Sequence, residues 1–204
     1  MSAYRLGIFD LGGVVVDVES DRLVHQVAQL LGCSFEQVQE VVYHPELLLP
    51  FELGWMTPEA YFDGLQQRLK LPWSYERFVA AWNDVFREKT DVTAIAQQLH
   101  QRYQLIALSN TNVLHLAYIR RQVSSLSVLA DWVASCDVGL RKPDPAFYQL
   151  ALKRIGVRPQ EVFYIDDRPE MVEAGQRLGL TAMRFETSQQ LQQELRHYGI
   201  LHDE

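Results

Sequence analysis

Tyr4-Arg5-Leu6-Gly7-Ile8-Phe9-Asp10-Leu11-Gly12-Gly13 is the stretch on which the reading of the chain turns. A short, mostly apolar run stops at one carboxylate, and two glycines follow at once. Such a run, bounded by turn residues, predicts a buried strand. Asp10 then stands at the strand's C-terminal end, the edge on which open α/β sheets bind their ligands. Gly12 and Gly13 let the backbone turn sharply and approach whatever Asp10 holds. Taken alone, an acid before a glycine turn has a plainer and commoner explanation as a turn cap. The rest of the chain has to decide.

Working outward, Val14-Val15-Val16-Asp17-Val18-Glu19 continues extended, and helical patterning then runs to about Lys89. Leu23, Val24, Val27, Leu30 and Leu31 recur at helical spacing until Gly32. Ser34 with Gln37 is a capping-box pair that opens a second helix carrying Val38, Val41 and Val42. Thr57-Pro58-Glu59 supplies an N-cap, an N1 proline and a first-turn acid for a third, which buries Tyr61, Phe62, Leu65 and Leu69. Ser74 opens a fourth, with Phe78, Trp82, Val85 and Phe86 on one face. Four helices and no strand signal over this stretch predict a small helical bundle.

From Asp91 the pattern changes. Asp91 caps a helix to about Arg102, and Leu105-Ile106-Ala107-Leu108 is a second strand ending at Ser109-Asn110-Thr111-Asn112. Trp132-Val133-Ala134-Ser135 is a shorter strand, and Pro143-Asp144-Pro145 opens a helix closed by Gly156. Val162-Phe163-Tyr164-Ile165 is a strand ending at Asp166-Asp167, with a helix behind it. Thr181 to Phe185 forms the last strand, before a glutamine-rich helix from about Ser188. Strands alternating with helices predict a Rossmann-like α/β fold, a parallel sheet with helices on both faces. The expected division is an α/β core over 1–16 and 90–204, with the helical bundle of 17–89 inserted after the first strand.

The composition limits what such a fold can do. The 204 residues are 48% apolar and 22% charged, an ordinary globular balance. A net charge of −7 argues against a nucleic-acid or anionic-membrane surface as the main role. Cys33 and Cys136 stand far apart in no metal-ligand spacing, so neither a disulfide framework nor a zinc site is expected. With no basic leader and no apolar run near ~18 residues, the expected location is the cytoplasm and no membrane partner is implied. Oligomeric state is not legible.

Polar groups end three of the strands on one edge of the sheet: Asp10, Ser109-Asn110 and Asp166-Asp167. Arg141-Lys142-Pro143 puts a cation just before a helix start between the last two. Each has a plain alternative: Ser109 and Asn110 as caps, Lys142 as a solvated surface residue, the acid pair as a helix N-terminus. Together these alternatives strain, because converging carboxylates repel unless one is protonated or a cation lies among them. Oxygen ligands without His or Cys point to a hard ion, with Mg²⁺ the usual one beside phosphate. A carboxylate nucleophile, a lysine, a serine hydroxyl and such an ion make chemical sense for phosphoryl transfer.

The ordered set Phe9-Asp10-Leu11-Gly12-Gly13-Val14, Leu108-Ser109-Asn110, Arg141-Lys142-Pro143 and Asp166-Asp167 resembles the four motifs of the haloacid dehalogenase superfamily. The match spans about 160 residues, and the helical insertion falls where that superfamily places its smaller cap. The resemblance implies a Mg²⁺-dependent phosphatase of a small phosphorylated molecule. In it, Asp10 is nucleophile and metal ligand, the Gly12 carbonyl a second ligand, and Asp166 with Asp167 the rest of the metal site. Ser109 binds phosphate with Asn110 beside it, and Lys142 binds phosphate and steadies Asp10. Ser109-Asn110-Thr111-Asn112 with His115, and Glu52-x-Gly54, further resemble the branch holding bacterial α-D-glucose-1-phosphate phosphatases. That likeness implies a sugar phosphate such as glucose 1-phosphate.

Two positions depart from the pattern. Most phosphatases of the superfamily carry a general acid two residues after the nucleophile, where this chain has Gly12; loss of such a group typically costs about 10²–10⁴-fold. Asp17 and Glu19, the nearest acids, read as structural residues at the cap hinge. The residue that often orients the lysine is Met171 here, with Glu170 next to it as a candidate substitute. Metal-free dehalogenases also lack an acid at the Gly12 position but have no reason to crowd acids at 166 and 167. A non-catalytic phosphate-binding module has no need of a nucleophile. A phosphorelay receiver is excluded by order, since its acid pair follows the first strand. Substrate identity is expected in the cap, where Glu52, Trp55, Met56, Trp82 and Phe86 are candidates.

Overall fold

The computed structural model describes residues 3–202. In chain order the elements are β1 (Leu6–Phe9), β2 (Val16–Val18), α1 (Asp21–Leu31), α2 (Phe35–Val42), α3 (Pro45–Glu52), α4 (Pro58–Leu69), α5 (Tyr75–Asn83), β3 (Phe86–Glu88), α6 (Thr90–His100), β4 (Gln104–Ser109), α7 (Val113–Gln122), β5 (Leu129–Ala134), α8 (Ser135–Val138), α9 (Pro145–Ile155), β6 (Val162–Asp166), α10 (Pro169–Arg177), β7 (Thr181–Arg184) and α11 (Ser188–His197). Five strands form one sheet in the order β5-β4-β1-β6-β7, all paired parallel. The α/β fold expected from the alternation is the fold observed.

Both faces of the sheet are covered, as a parallel sheet requires. Phe9, Leu105 and Ala107 pack into one core cluster, while Leu6, Ile8, Ile106 and Leu108 pack into another on the opposite face. β1 lies in the middle, with Phe9 opposite Ala107 on one side and Ile165 on the other. The ladder runs on into Asp10, whose N–H donates to the Ile165 carbonyl at 2.9 Å. Strand order changes direction at β1, so a crevice opens at its C-terminal end.

Helices α1 to α5 stand between β2 and β3 and share a separate apolar cluster. Its centre is aromatic: Phe51 stacks on Tyr61 at 4.5 Å, and Phe78 and Trp82 close around the same ring. Ser34 and Gln37 form the expected capping box, and Thr57 and Ser74 cap their helices as read. Three expectations need correction. The insertion has five helices rather than four, because α3 begins with Pro45 at its first turn and contains Pro50, and that pair of prolines reads as a loop. Phe86 belongs to a strand and not to the Ser74 helix: α5 stops at Asn83, and Phe86 pairs antiparallel with Val18 in the two-stranded stalk β2–β3. Asp91 lies inside the first turn of α6 instead of capping it.

That stalk is fixed by charge. Lys89 Nζ donates to the Gly13 carbonyl at 2.9 Å and pairs with Asp17 at 2.9 Å. Glu19 pairs with Arg22 at 3.1 Å and Arg87 at 3.4 Å. Asp17 and Glu19 are thus held in ion pairs of the stalk, and Asp17 also borders a cavity with Asp10 and Lys142.

Three further contacts join the helical insertion to the sheet domain. The Ser135 hydroxyl lies 2.7 Å from the Glu52 carbonyl and accepts the Thr111 N–H at 2.9 Å, so it stitches the end of α3 to β4 and β5. Gly54, at φ +70°, comes so close to α8 that a Cβ there would sit 2.0 Å from the Cys136 carbonyl oxygen. On α7, His115 stacks on Trp82 at 4.8 Å. Its Nε2 donates to the Trp82 carbonyl at 3.0 Å, and its Nδ1 accepts from Asn112 at 3.1 Å. Burial lowers His115 to about 4, partly opposed by the Trp82 bond, so the ring is neutral near pH 7.

Two measurements check these contacts. Gly54→Ala should lower the urea midpoint well beyond Gly32→Ala: both residues sit at positive φ, but a Cβ at Gly32 meets nothing within 4 Å, leaving only the roughly 1–2 kcal/mol cost of a left-handed conformation. Equal losses would remove the close approach at Gly54 as a constraint. For His115, the folded value of about 4 lies below the unfolded value of about 6.5. Its contribution is complete above pH ~6.5 and shrinks as pH falls toward 4, by about 2 kcal/mol at pH 5. The stability gap between wild type and His115→Gln should narrow by that order between pH 7 and pH 5, and a constant gap contradicts the assignment.

Candidate active site

Three carboxylates meet at the C-terminal edge of β1 and β6. Ligand oxygens of Asp10, Asp166 and Asp167 all lie within 4.8 Å of one another. Lys142 stands among them, its Nζ 2.9 Å from Asp10 Oδ1 and 2.6 Å from Asp166 Oδ2. Asp10, Lys142 and Asp166 are buried, at 8%, 2% and 0% exposure. Buried charges persist only when paired and hydrogen-bonded, which makes this a tightly specified arrangement.

Each member is set by its neighbours. Asp10 Oδ1 also accepts the Leu11 N–H at 2.7 Å, so both of these bonds fall on one oxygen. Asp166 takes Lys142 and the Tyr164 hydroxyl on Oδ2, and the Arg168 N–H on Oδ1 at 3.0 Å. Tyr164 and Asp166 are two apart on β6 and so share a face. Asn110 clamps the Lys142 backbone from both sides: its Nδ2 donates to the Lys142 carbonyl at 2.9 Å, and its Oδ1 accepts the Lys142 N–H at 2.8 Å. Gly13, at φ +81°, passes so near Asp167 that a Cβ would fall 2.3 Å from its Oδ2.

The electrostatics register the crowding. Burial raises the Asp10 carboxyl to about 6; Lys142 pulls it down and Asp166 pushes it up. Asp167 is also raised, by burial first and by Asp166 next. Two carboxylates that resist ionisation beside an all-oxygen donor set form a site a hard divalent cation suits, since such an ion removes the repulsion. The oxygen donors of Asp10, Asp166 and Asp167 therefore fit Mg²⁺, and Gly12 borders the same cavity.

Two cavities meet here. One of about 420 Å³ is lined by Asp10, Asp167, Lys142 and Arg168. The other, about 200 Å³, lies under the helical insertion against Trp82, Phe86 and Glu52. Gly12, Val18, Ser109 and Asn110 border both. Glu52 Oε2 pairs with Arg141 at 3.1 Å, and burial raises its carboxyl while Arg141 lowers it.

The residues singled out from sequence thus gather at one place, with changes of role. Glu170 does not orient Lys142: it is exposed and pairs with Arg168 at 2.9 Å, while Met171 is buried and gives only its carbonyl, to Tyr148 at 3.1 Å. Asp166 performs that task from within β6. Asn110 spends its amide on Lys142 rather than facing outward. Of the cap candidates, Glu52, Trp82 and Phe86 line the smaller cavity, Trp55 is 70% exposed, and Met56 packs against the apolar cluster of the insertion. Tyr164, Ser135, Lys89 and Arg168 escaped the sequence reading. Tyr164, two residues before an acid at a strand end, carried the signal that could have found it.

Known proteins resemble this chain in sequence and fold. The sequence pattern of the haloacid dehalogenase-like hydrolases matches residues 4–179. Flavin mononucleotide hydrolase 1 of Arabidopsis thaliana is 27% identical over 95% of this chain and 77% of its own length. D-ribitol-5-phosphate phosphatase of Bacteroides thetaiotaomicron is 27% identical over 92% of this chain and 95% of its own. Among solved structures, a haloacid-dehalogenase-family enzyme of Bacteroides thetaiotaomicron, in complex with magnesium and inorganic phosphate, superposes with a TM-score of 0.80 at 23% identity over 90% of this chain and 94% of that one. The sheet order, the acid cluster around its buried lysine and these matches together make the chain a member of the haloacid dehalogenase-like hydrolases, of the phosphatase type.

Proposed function

We propose that this protein is a Mg²⁺-dependent phosphatase of a small phosphomonoester, working through an aspartyl-phosphate on Asp10. The observation that carries the reading is the Asp10 carboxylate itself. It is held at the end of the central strand by the Leu11 N–H and Lys142, and it faces the same cavity as Asp167 and Ser109. Because both bonds fall on Oδ1, Oδ2 keeps its lone pairs for phosphorus. Attack by Oδ2 breaks the bond from phosphorus to the ester oxygen, which leaves with the electron pair and takes up a proton. Water then attacks the phosphorus of the acyl phosphate, releasing phosphate and restoring the carboxylate. Lys142 and Ser109 hold the phosphoryl oxygens through these steps. Bound Mg²⁺ supplies neutralisation of the charge those oxygens carry.

With Gly12 at the usual donor position, proton delivery falls to water or to a group of the insertion, and good leaving groups gain most. The sugar phosphate implied by the motif resemblance, glucose 1-phosphate, has such a leaving group in its anomeric oxygen. Its support is the motif likeness alone. The relatives act on a flavin nucleotide and a polyol phosphate, as their names state, which supports phosphomonoesters as the class. No helix among the described residues is long and apolar enough to cross a membrane, and Cys33 and Cys136 are free thiols.

Asp10→Asn should abolish Mg²⁺-dependent phosphate release from an aryl phosphate, and EDTA should abolish it in wild type. Activity near wild type in the variant would sink the nucleophile assignment, and phosphate release indifferent to EDTA would remove the Mg²⁺ requirement. Because Asp10 holds its proton up to about 6, a metal must displace that proton. The Mg²⁺ affinity read by calorimetry should fall by up to about tenfold per pH unit below pH 6 and level off above it.

A further inference from the structure

The smaller cavity carries information on the leaving group. Its walls under the insertion are apolar and aromatic: Leu11, Leu23, Leu48, Trp82, Phe86 and Ile119. The polar side chains between them are largely committed elsewhere. The Tyr43 hydroxyl donates to the Ser20 carbonyl at 2.9 Å. Asn112 accepts from Trp82 Nε1 at 3.3 Å and donates to His115, whose other nitrogen is taken by the Trp82 carbonyl. Asn110 is occupied by the Lys142 backbone, and Glu52 is drawn toward Arg141. What remain are the hydroxyls of Ser20 and Thr111, the second oxygen of Glu52 and, at the border with the larger cavity, the hydroxyl of Ser109. A sugar or polyol brings a hydroxyl on nearly every carbon, and each one buried without a partner loses roughly ten- to a hundredfold in affinity.

The two cavities therefore divide by chemistry. Asp10, Asp167, Lys142 and Arg168 line the one that takes a phosphoryl group, and the adjoining one offers little but hydrocarbon and aromatic surface. We propose that the physiological substrate is the phosphate monoester of an apolar alcohol, whose hydrocarbon body fills the cavity between Trp82, Phe86, Leu48 and Ile119. This rests on the phosphatase reading above and narrows it.

The test compares n-octyl phosphate with ethyl phosphate, whose leaving alcohols differ little in acidity, so their ratio reports the cavity rather than the chemistry. At saturating Mg²⁺ the kcat/KM of the octyl ester should exceed that of the ethyl ester at least about tenfold, the yield of burying roughly two of its six extra methylenes, and should exceed those of ribitol 5-phosphate and glucose 1-phosphate. Leu48→Gln should lower the octyl-to-ethyl ratio and Leu48→Met should preserve it, a comparison that any general loss of activity leaves intact. A ratio near one, or preference for either polyol ester, overturns the proposal. If no ester is turned over, the phosphatase reading fails by itself. Calorimetric binding of octyl against ethyl phosphate to Asp10→Asn with Mg²⁺ then still decides the cavity: tighter octyl binding supports the apolar occupant, and equal binding refutes it.

Discussion

One ammonium holds this site together. Lys142 lies buried between Asp10 and Asp166, and its removal would leave two carboxylates facing each other away from water. Several other features exist to keep it in place. The sheet order sets β1 beside β6, which brings the two acids to opposite sides of one Nζ. Asn110 fixes the lysine's backbone, and Tyr164 shares its carboxylate partner. Even so, a single positive charge does not neutralise three acids, and burial first, with Asp166 alongside, holds the Asp10 and Asp167 carboxyls above the usual carboxylate range. The protein's own charges specify a place for one more cation.

Chemistry and selectivity rest on different parts of the chain. The buried acids and Ser109 stand at strand ends, where backbone ladders fix them, and Lys142 in the loop before α9. The walls of the adjoining cavity come about equally from the sheet domain and from the insertion with its stalk, whose helices pack around Phe51, Tyr61 and Phe78. Ser135, Gly54 and His115 mark points where the two meet. The relatives reflect the same division, since a flavin nucleotide and a ribitol phosphate are named for proteins of one fold.

The readable part of the sequence was the part governed by local rules. Apolar runs ending in acids, glycines after the first of them, and capping pairs such as Ser34 with Gln37 each follow from a few adjacent residues, and each sits where those rules place it. What was hidden depends on partners far along the chain. Phe86 looked helical because its strand exists only through pairing with Val18, 68 residues away. α3 was concealed by prolines that a helix tolerates at its start and, at the loss of one hydrogen bond, within it. Glu170 was the natural candidate to orient Lys142 by position, but its helix points it outward to Arg168, and the inward-facing acid was already present at 166.

Gly12 has a consequence of a different kind. Its φ lies outside the left-handed range, and a Cβ there would come 3.2 Å from Val18, tight but against a single methyl of a partly exposed side chain. The backbone thus has no need of glycine at this position. The missing donor is a matter of side-chain choice, and the position can be filled without rebuilding the fold. A side chain added at Gly12 would leave Asp10, Lys142, Asp166 and Asp167 where they stand, so the presence of a donor here is separable from the charge cluster that the strands assemble.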